Sequence, residues 1–399
     1  MKTINNYVVK GKNVLVRVDL NVPVLNGIIT EKSRIDTIKP TIEKLLNQKN
    51  KIFLLSHFGR PEGQFSKEYS LEFICSTLQE EFEINRIHFL ESFNDSDIKN
   101  KIHKMDFGEI CLFENIRFHP GEESNDSNFI QEICKSFDVF VNDAFSASHR
   151  NHASIVGAPQ YLPSLAGESL LEEIKNIDSF VNEPKKPNVA IIGGSKISTK
   201  IDLLHNLTEF FDTIVIGGAM ANTFLNAQNI DIGNSLCEKD LSTTALSIME
   251  KADNLNCKIV LPLDVVCADN INDQSSIRRC DIKNILPNQM VLDVGNKTSK
   301  IIAEIILRAR MVLWNGPLGA FEYKPFEQSS VEVANVIKNN AKILNITTLA
   351  GGGDTISAIK MAKAEEGFSY ISKAGGAFLE WLEGKESPGV TALKENTYN

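Results

Sequence analysis

The stretch ITTLAGGGDTISAIK, residues 346–360, passes from an apolar run to three glycines and then into a helical pattern. Ile346 to Ala350 read as a strand, and Asp354 and Thr355 as the opening of a helix. Glycines let backbone N–H groups crowd around an anion, and a helix N-terminus adds positive partial charge. The stretch is nevertheless no P-loop, because no lysine follows as G-x-x-x-x-G-K-[ST] requires. It is no dinucleotide fingerprint either, since Ile356 stands where G-x-G-x-x-G needs its third glycine. The charge for an anion must therefore come from another loop.

The same strand, turn and helix order runs through the chain. Apolar runs in the first half are NVLVRVD, KIFLLSH, RIHFL, EICLFEN and FDVFVND; in the second half they are NVAIIGG, TIVIGG, KIVLPLD, MVLDVG, MVLWNG and ITTLAGGG. Helical patterns such as SRIDTIKPTIEKLLNQ, KISTKIDLLHNLTEFF and STTALSIMEKADNL lie between them. Continuous apolar strands alternating with helices predict an α/β fold of parallel sheets covered on both faces. Eleven strands are too many for one comfortable open sheet. A break is expected at the proline- and lysine-bearing residues 179–188, with GESLLEEIKNIDSFV before it as a bridging helix. An eight-stranded barrel would need one helix per strand and no central break.

The composition is that of a globular protein, 42% hydrophobic and 23% charged, with a net charge of −9. That balance argues against nucleic acid or an anionic membrane as partner, so an anionic ligand must be caught by local basic clusters. The opening MKTINNYVVKGK lacks the apolar core of a signal peptide, and no apolar run approaches the ~18 residues of a membrane span. Seven cysteines never form C-x-x-C and mostly sit in apolar segments, which reads as reduced packing residues in a cytoplasmic protein.

Ligands of open α/β sheets gather at the carboxyl ends of the strands, and here those ends are polar. Six of the ten arginines lie in the first 150 residues. Arg17, Asp19 and Asn21 belong to the exit RVDLNVP; Arg34 opens the first helix; His57 and Arg60 close the second strand. Arg117 follows LFEN, and Arg150 lies in SHRNH. Guanidinium groups bind phosphate and carboxylate through paired planar hydrogen bonds, so this set suits a small anion better than scattered ion pairs. His149 and His152 lack a neighbouring carboxylate or thiol for a metal site and read as capping or anion-facing groups.

Glycine marks the second-half exits, IIGGSKISTK, VIGGAMANTF, LWNGPLGAFE and LAGGGDT, which suggests close backbone approach to a nucleotide. Lys196 and Lys200, four apart at an expected helix start, would share one face and supply the missing charge. Asp354 is then left to hold Mg²⁺, which favours carboxylate and phosphate oxygens.

RVDLNVP, SHFGRP, NDAFSASHRNHAS, GGSKISTK, WNGPLGAFE, GGGDT and the tail LEWLEGKESPGV together resemble phosphoglycerate kinase, in order and over essentially the whole chain. The resemblance implies two doubly wound parallel-sheet domains. These are 1–168 with the returning tail 385–399, a bridging helix and linker at 169–187, and 188–384. It implies transfer of the acyl phosphate of 1,3-bisphosphoglycerate to ADP, in a monomer that closes around its substrates. Asp19, Asn21, Arg34, His57, Arg60, Arg117 and Arg150 would hold the phosphoglycerate. Gly194, Lys196, Lys200, Gly217, Gly218, Asn315, Pro317, Glu322, Gly352, Gly353, Asp354 and Thr355 would hold the Mg-nucleotide, Glu322 taking the ribose hydroxyls. Arg34 and Lys196 would meet the migrating phosphoryl group.

Phosphoryl transfer asks mainly for alignment and for charge on the equatorial oxygens. A carboxylate is both leaving group and nucleophile here, so the lack of an acid–base dyad is expected. Two departures stand out. Ser372-Lys373-Ala374-Gly375-Gly376 replaces the usual Ser-Thr-Gly-Gly-Gly, and Glu168 follows Gly167 where the family carries a bulky apolar residue. A nicotinamide-dependent dehydrogenase would share the sheets and glycines but needs the fingerprint that is missing. A non-catalytic binding protein would explain the arginines but not Lys196, Lys200 and Asp354.

Overall fold

The computed structural model describes residues 1–182 and 184–398 and divides into two compact units, Met1–Ile174 with Glu386–Asn399, and Lys175–Lys385. The division falls inside the helix Glu168–Val181.

The first unit is built on a six-stranded parallel sheet. Its spatial order is Ile87–Leu90, Ile110–Phe113, Lys51–Leu55, Asn13–Val18, Val139–Asp143 and Ser164–Ala166. Side chains alternate across the pleat. Val14, Val16 and Val18 pack with Ile52, Leu54 and Val141 against Ile35, Ile38 and Ile42 of the helix Ser33–Asn47. Leu15, Phe53 and Phe140 point the other way, onto Phe129, Ile130 and Ile133 of the helix Ser127–Cys134. Both faces are thus covered, which is why the strands are mostly apolar. The C-terminal segment packs into the same unit: Ser387 Oγ donates to Ser148 O (2.8 Å), and Tyr398 Oη to Gln160 O (2.9 Å).

In the second unit the parallel order is Lys258–Val260, Thr213–Ile216, Asn188–Ile192, Met311–Asn315, Thr347–Gly351 and Tyr370–Ser372. Val189, Ile191, Val312 and Trp314 cover one face with Ile302 and Ile306 of the helix Asn296–Arg308 and Val333 and Ile337 of the helix Gln328–Leu344. One sequence expectation is corrected here. MVLDVG forms no part of a parallel sheet; Met290–Val294 joins Asp264–Ala268 and Arg278–Asp281 in a separate antiparallel sheet. An apolar run marks a strand but not its direction, and Pro262 ends one strand before Asp264 starts the next.

Gly167 and Glu168 start the helix that spans the division. Asp143 Oδ1 accepts from Leu170 N–H (3.1 Å) and Thr41 Oγ1 from Glu168 N–H (2.8 Å). The unusual Glu168 side chain finds Lys44 Nζ (3.2 Å) and Asn5 Nδ2 (3.0 Å), so its charge is paired rather than stranded.

Candidate functional sites

Winding reverses in the first sheet between the neighbouring strands Asn13–Val18 and Val139–Asp143, where α/β crevices open. Asp19, just past the first of these, accepts from Asn21 N–H (3.0 Å) through Oδ1, while Oδ2 receives both the Ser146 hydroxyl and the Arg34 guanidinium. Asn21 Oδ1 accepts from Gly59 N–H (3.0 Å), and Arg117 Nη1 donates to Gly59 O (2.7 Å). The turn carrying Arg60 is therefore held from both sides. Arg117 Nε also pairs with Glu123 Oε1 (3.1 Å). Arg60 itself is exposed and makes no ion pair among the described residues, which leaves its guanidinium open to a ligand. Arg150 is half-buried with Nε 3.3 Å from His149 Nε2.

Arg17 departs from the anion-binding role that its position suggested. It is 1% exposed and donates through Nε to Ser154 Oγ (2.8 Å), through Nη1 to Val18 O (2.5 Å) and through Nη2 to His57 Nδ1 (3.1 Å). Burial lowers its pKa to about 10 against the attraction of Glu122. Burial pushes the Glu122 carboxyl up, but hydrogen bonds from His152 and Ser154 and the charge of Arg17 hold it below its ordinary value. His57 is held well below 6.5 by burial and by the Arg17 and Arg150 charges, so its ring is neutral. Arg17 thus organises the floor of the cluster. Nothing in its sequence position distinguished that task from ligand binding.

In the second sheet the reversal lies between Asn188–Ile192 and Met311–Asn315, and the glycine loops converge there. Lys200 Nζ donates to Gly193 O (2.7 Å), Asn315 O (3.2 Å) and Asn315 Oδ1 (2.5 Å). Asn315 Nδ2 in turn donates to Gly351 O (2.7 Å), and Gly316 N–H to Thr355 Oγ1 (2.6 Å). Three strand exits are tied into one cradle. Burial lowers Lys200 to about 8 against the raising charge of Asp354.

The helical expectation for the two lysines fails in detail. Lys196 is exposed with extended backbone, the turn Ile197–Thr199 follows, and the α-helix begins only at Ile201. Glu238, which the sequence did not single out, shapes that turn by accepting from Ser198 N–H (3.0 Å) and Ser198 Oγ (2.6 Å). Several glycines also serve a purpose other than ligand approach. A Cβ on Gly193 or Gly316 would strike the facing loop's carbonyls, and one on Gly217 would strike Leu318. Gly352, with φ +95°, turns the chain into the helix Gly353–Met361, and Gly353 faces open space.

A cavity of about 570 Å³ opens beside this cradle. Gly194, Gly218, Pro317, Glu322 and Asp354 line it, while Lys196, Lys200, Gly217, Asn315, Gly352, Gly353 and Thr355 do not. Its unforeseen walls are apolar: Leu236, Met290, Leu292, Phe321 and Tyr323. Such a volume, apolar with a few polar groups at one end, suits a nucleotide. Lys373 is exposed after the strand Tyr370–Ser372, three residues ahead of the short helix Gly376–Leu382. Among the described residues there is no group of three His, Cys, Asp or Glu side chains to cage a metal, and no helix is long and apolar enough to cross a membrane. Asp354, a lone exposed carboxylate in the first turn of a helix, fits Mg²⁺ that arrives on phosphate oxygens rather than a resident ion.

Comparison with known proteins places the chain in a family. The phosphoglycerate kinase family profile matches residues 4–385. The chain is 46% identical over 387 residues to the phosphoglycerate kinase of Rhizobium meliloti, covering 97% of each. It is 44% identical over 394 residues to that of Brucella abortus, covering 99% of each. Among solved structures, the phosphoglycerate kinase of Coxiella burnetii superposes with a TM-score of 0.90 at 37% identity, covering 99% of each chain. That of Pyrococcus horikoshii gives 0.82 at 26%, covering 99% of this chain and 98% of the other. The chain belongs to the phosphoglycerate kinase family.

Proposed function

We propose that the two clusters divide the substrates of the family's glycolytic reaction, the reversible transfer of the acyl phosphate of 1,3-bisphosphoglycerate to ADP. In this reading Asp19, Asn21, Arg34, His57, Arg60, Arg117 and Arg150 hold the phosphoglycerate. Neutral His57 donates from Nε2, and the open Arg60 supplies charge. The Mg-nucleotide lies in the second unit, its base and ribose in the apolar cavity with Glu322, its phosphates toward Lys196, Lys200 and the helix N-terminus at Gly353. Asp354 would hold the Mg²⁺, which adds positive charge to the phosphate oxygens. Arg34 and Lys196 meet the transferring group when the units close, and closure excludes the water that would hydrolyse an acyl phosphate. The observation that carries this division is the gathering of the groups at the carboxyl ends of two separate sheets, each at its winding reversal. We further read the enzyme as a cytoplasmic monomer, which sedimentation at 44.3 kDa would support; its seven unpaired cysteines fit a reducing compartment.

Calorimetric titration of each ligand separately tests the division. Asp354→Asn should weaken Mg-ADP binding about tenfold or more while 3-phosphoglycerate binds as before, because an amide is a poor ligand for a hard dication. Equal losses for both ligands would make Asp354 structural and contradict the assignment.

A further inference from the structure

Asp293 lies in the strand Met290–Val294, is 2% exposed, and belongs to neither predicted cluster. Its Oδ1 accepts from Val294 N–H (2.9 Å) and from the Ser329 hydroxyl, and its Oδ2 accepts from Ser329 N–H (3.1 Å). Ser329 sits in the first turn of the helix Gln328–Leu344, whose N-cap residue Glu327 makes no side-chain cap. An anion from another strand thus does the capping, where the helix dipole favours negative charge. A third element meets the same carboxylate. The backbone of Gly319 packs so closely that a Cβ there would lie 2.6 Å from Asp293 Cγ. One residue on, Ala320 N–H donates to Leu292 O (2.7 Å). Gly319 opens the segment that brings Phe321, Glu322 and Tyr323 to the cavity, and Asp293 lies just beyond Met290, Val291 and Leu292, which line it too. Burial raises the carboxyl to about 7 against these hydrogen bonds.

We infer that Asp293 is a positioning residue for the nucleotide, locking the loop that carries Phe321, Glu322 and Tyr323 onto the strand Met290–Val294 and so fixing where these lining residues stand. The inference rests on the nucleotide reading of that cavity. In the Asn variant an amide keeps one acceptor but turns a donor toward the Ser329 donors. In a Gly319→Ala variant the new methyl group pushes the loop off the carboxylate.

Steady-state kinetics of the full-length enzyme, run from ATP and 3-phosphoglycerate, decide it. Asp293→Asn and Gly319→Ala should each raise the KM for ATP about tenfold, the scale of one lost hydrogen bond to a buried charge. The KM for 3-phosphoglycerate should stay within roughly twofold, and kcat at saturating ATP should change little. Folded variants with an unaltered KM for ATP, or with equal losses on both substrates, overturn the inference. If Asp293→Asn does not fold, Ser329→Ala removes only the hydroxyl bond and is judged by the same split, at roughly threefold. A Glu322→Ala control separates the two levels. If it too leaves the KM for ATP unchanged, the cavity is not the nucleotide site and both readings fall; if it raises the KM and the Asp293 and Ser329 variants do not, only the positioning role falls.

Discussion

Lys200 Nζ lies 2.5 Å from Asn315 Oδ1 and 2.7 Å from Gly193 O, so one buried ammonium ties together the two strand exits that flank the winding reversal of the second sheet. Its donors are all engaged within the protein. In the proposed reading a polyphosphate competes with loop carbonyls for this lysine, and its protonation should report that competition.

Burial lowers Lys200 to about 8. An unfolded lysine titrates near ~10.4, so between these values the unfolded chain holds a proton that the folded chain has lost. The contribution of this group to stability therefore rises with pH from about 8 to ~10.4. Bound phosphate acts in the opposite direction and restores the charge. Nucleotide binding near pH ~8.5 should take up a fraction of a proton. Calorimetry in two buffers of different ionisation heat should detect this uptake, and Lys200→Met should abolish it. Equal uptake in the variant would remove Lys200 from the phosphate site.

His57 owes its state to Arg17. An arginine can only donate, so His57 Nδ1, 3.1 Å from Arg17 Nη2, accepts, and the ring hydrogen sits on Nε2. With its pKa held well below 6.5, the folded ring refuses a proton that the unfolded chain accepts. Its contribution to stability is complete above pH ~6.5 and falls as pH drops below that value. Nitrogen-15 NMR should find a neutral Nε2–H imidazole at pH ~5.5, and Arg17→Met should move the midpoint upward. A native midpoint near 6.5 would contradict this account.

Adjacent glycines answer differently to the same substitution. Gly352 has φ +95°, and a Cβ there would lie 2.8 Å from Asn315 Nδ2. Gly352→Ala should cost ~1–2 kcal/mol in stability as well as nucleotide affinity. Gly353 has open space around it, so Gly353→Ala should melt like the native protein yet bind Mg-ADP more weakly, because its methyl group would stand where phosphate approaches. Thermal melts paired with titration separate the two effects. Unchanged affinity in Gly353→Ala would mean that the glycines serve the turn alone.

The parallel sheets were legible because strands buried on both faces are apolar at nearly every position, as Val14 to Val16 and Val189 to Ile192 show. Strand direction was not legible: Val291 in MVLDVG pairs antiparallel with Cys267, and no period distinguishes that from a parallel neighbour. Polar residues just past apolar runs picked out the two groups of exits, since the parallel strands of one sheet all end on the same edge. Their tasks were less visible. Arg17 and Arg60 look alike in sequence, yet one is fully buried as a scaffold and the other is open. The second sheet also has the strand order of dinucleotide-binding folds, so order alone would have left a dehydrogenase possible. Asp293 and Glu238 gave no signal, because their partners lie 36 and 40 residues away.

Arg34 carries the central claim, that charge from the phosphoglycerate cluster meets the transferring phosphoryl group. Its guanidinium now pairs with Asp19, and its side chain keeps 29% exposure. The direct measurement is ATP consumption on addition of 3-phosphoglycerate, with native enzyme and Arg34→Ala side by side. The account predicts consumption by the native enzyme only when 3-phosphoglycerate is present, and turnover ~10³-fold lower in Arg34→Ala with nucleotide affinity nearly unchanged. Half of native turnover retained in Arg34→Ala, or ATP consumed equally without 3-phosphoglycerate, would contradict it.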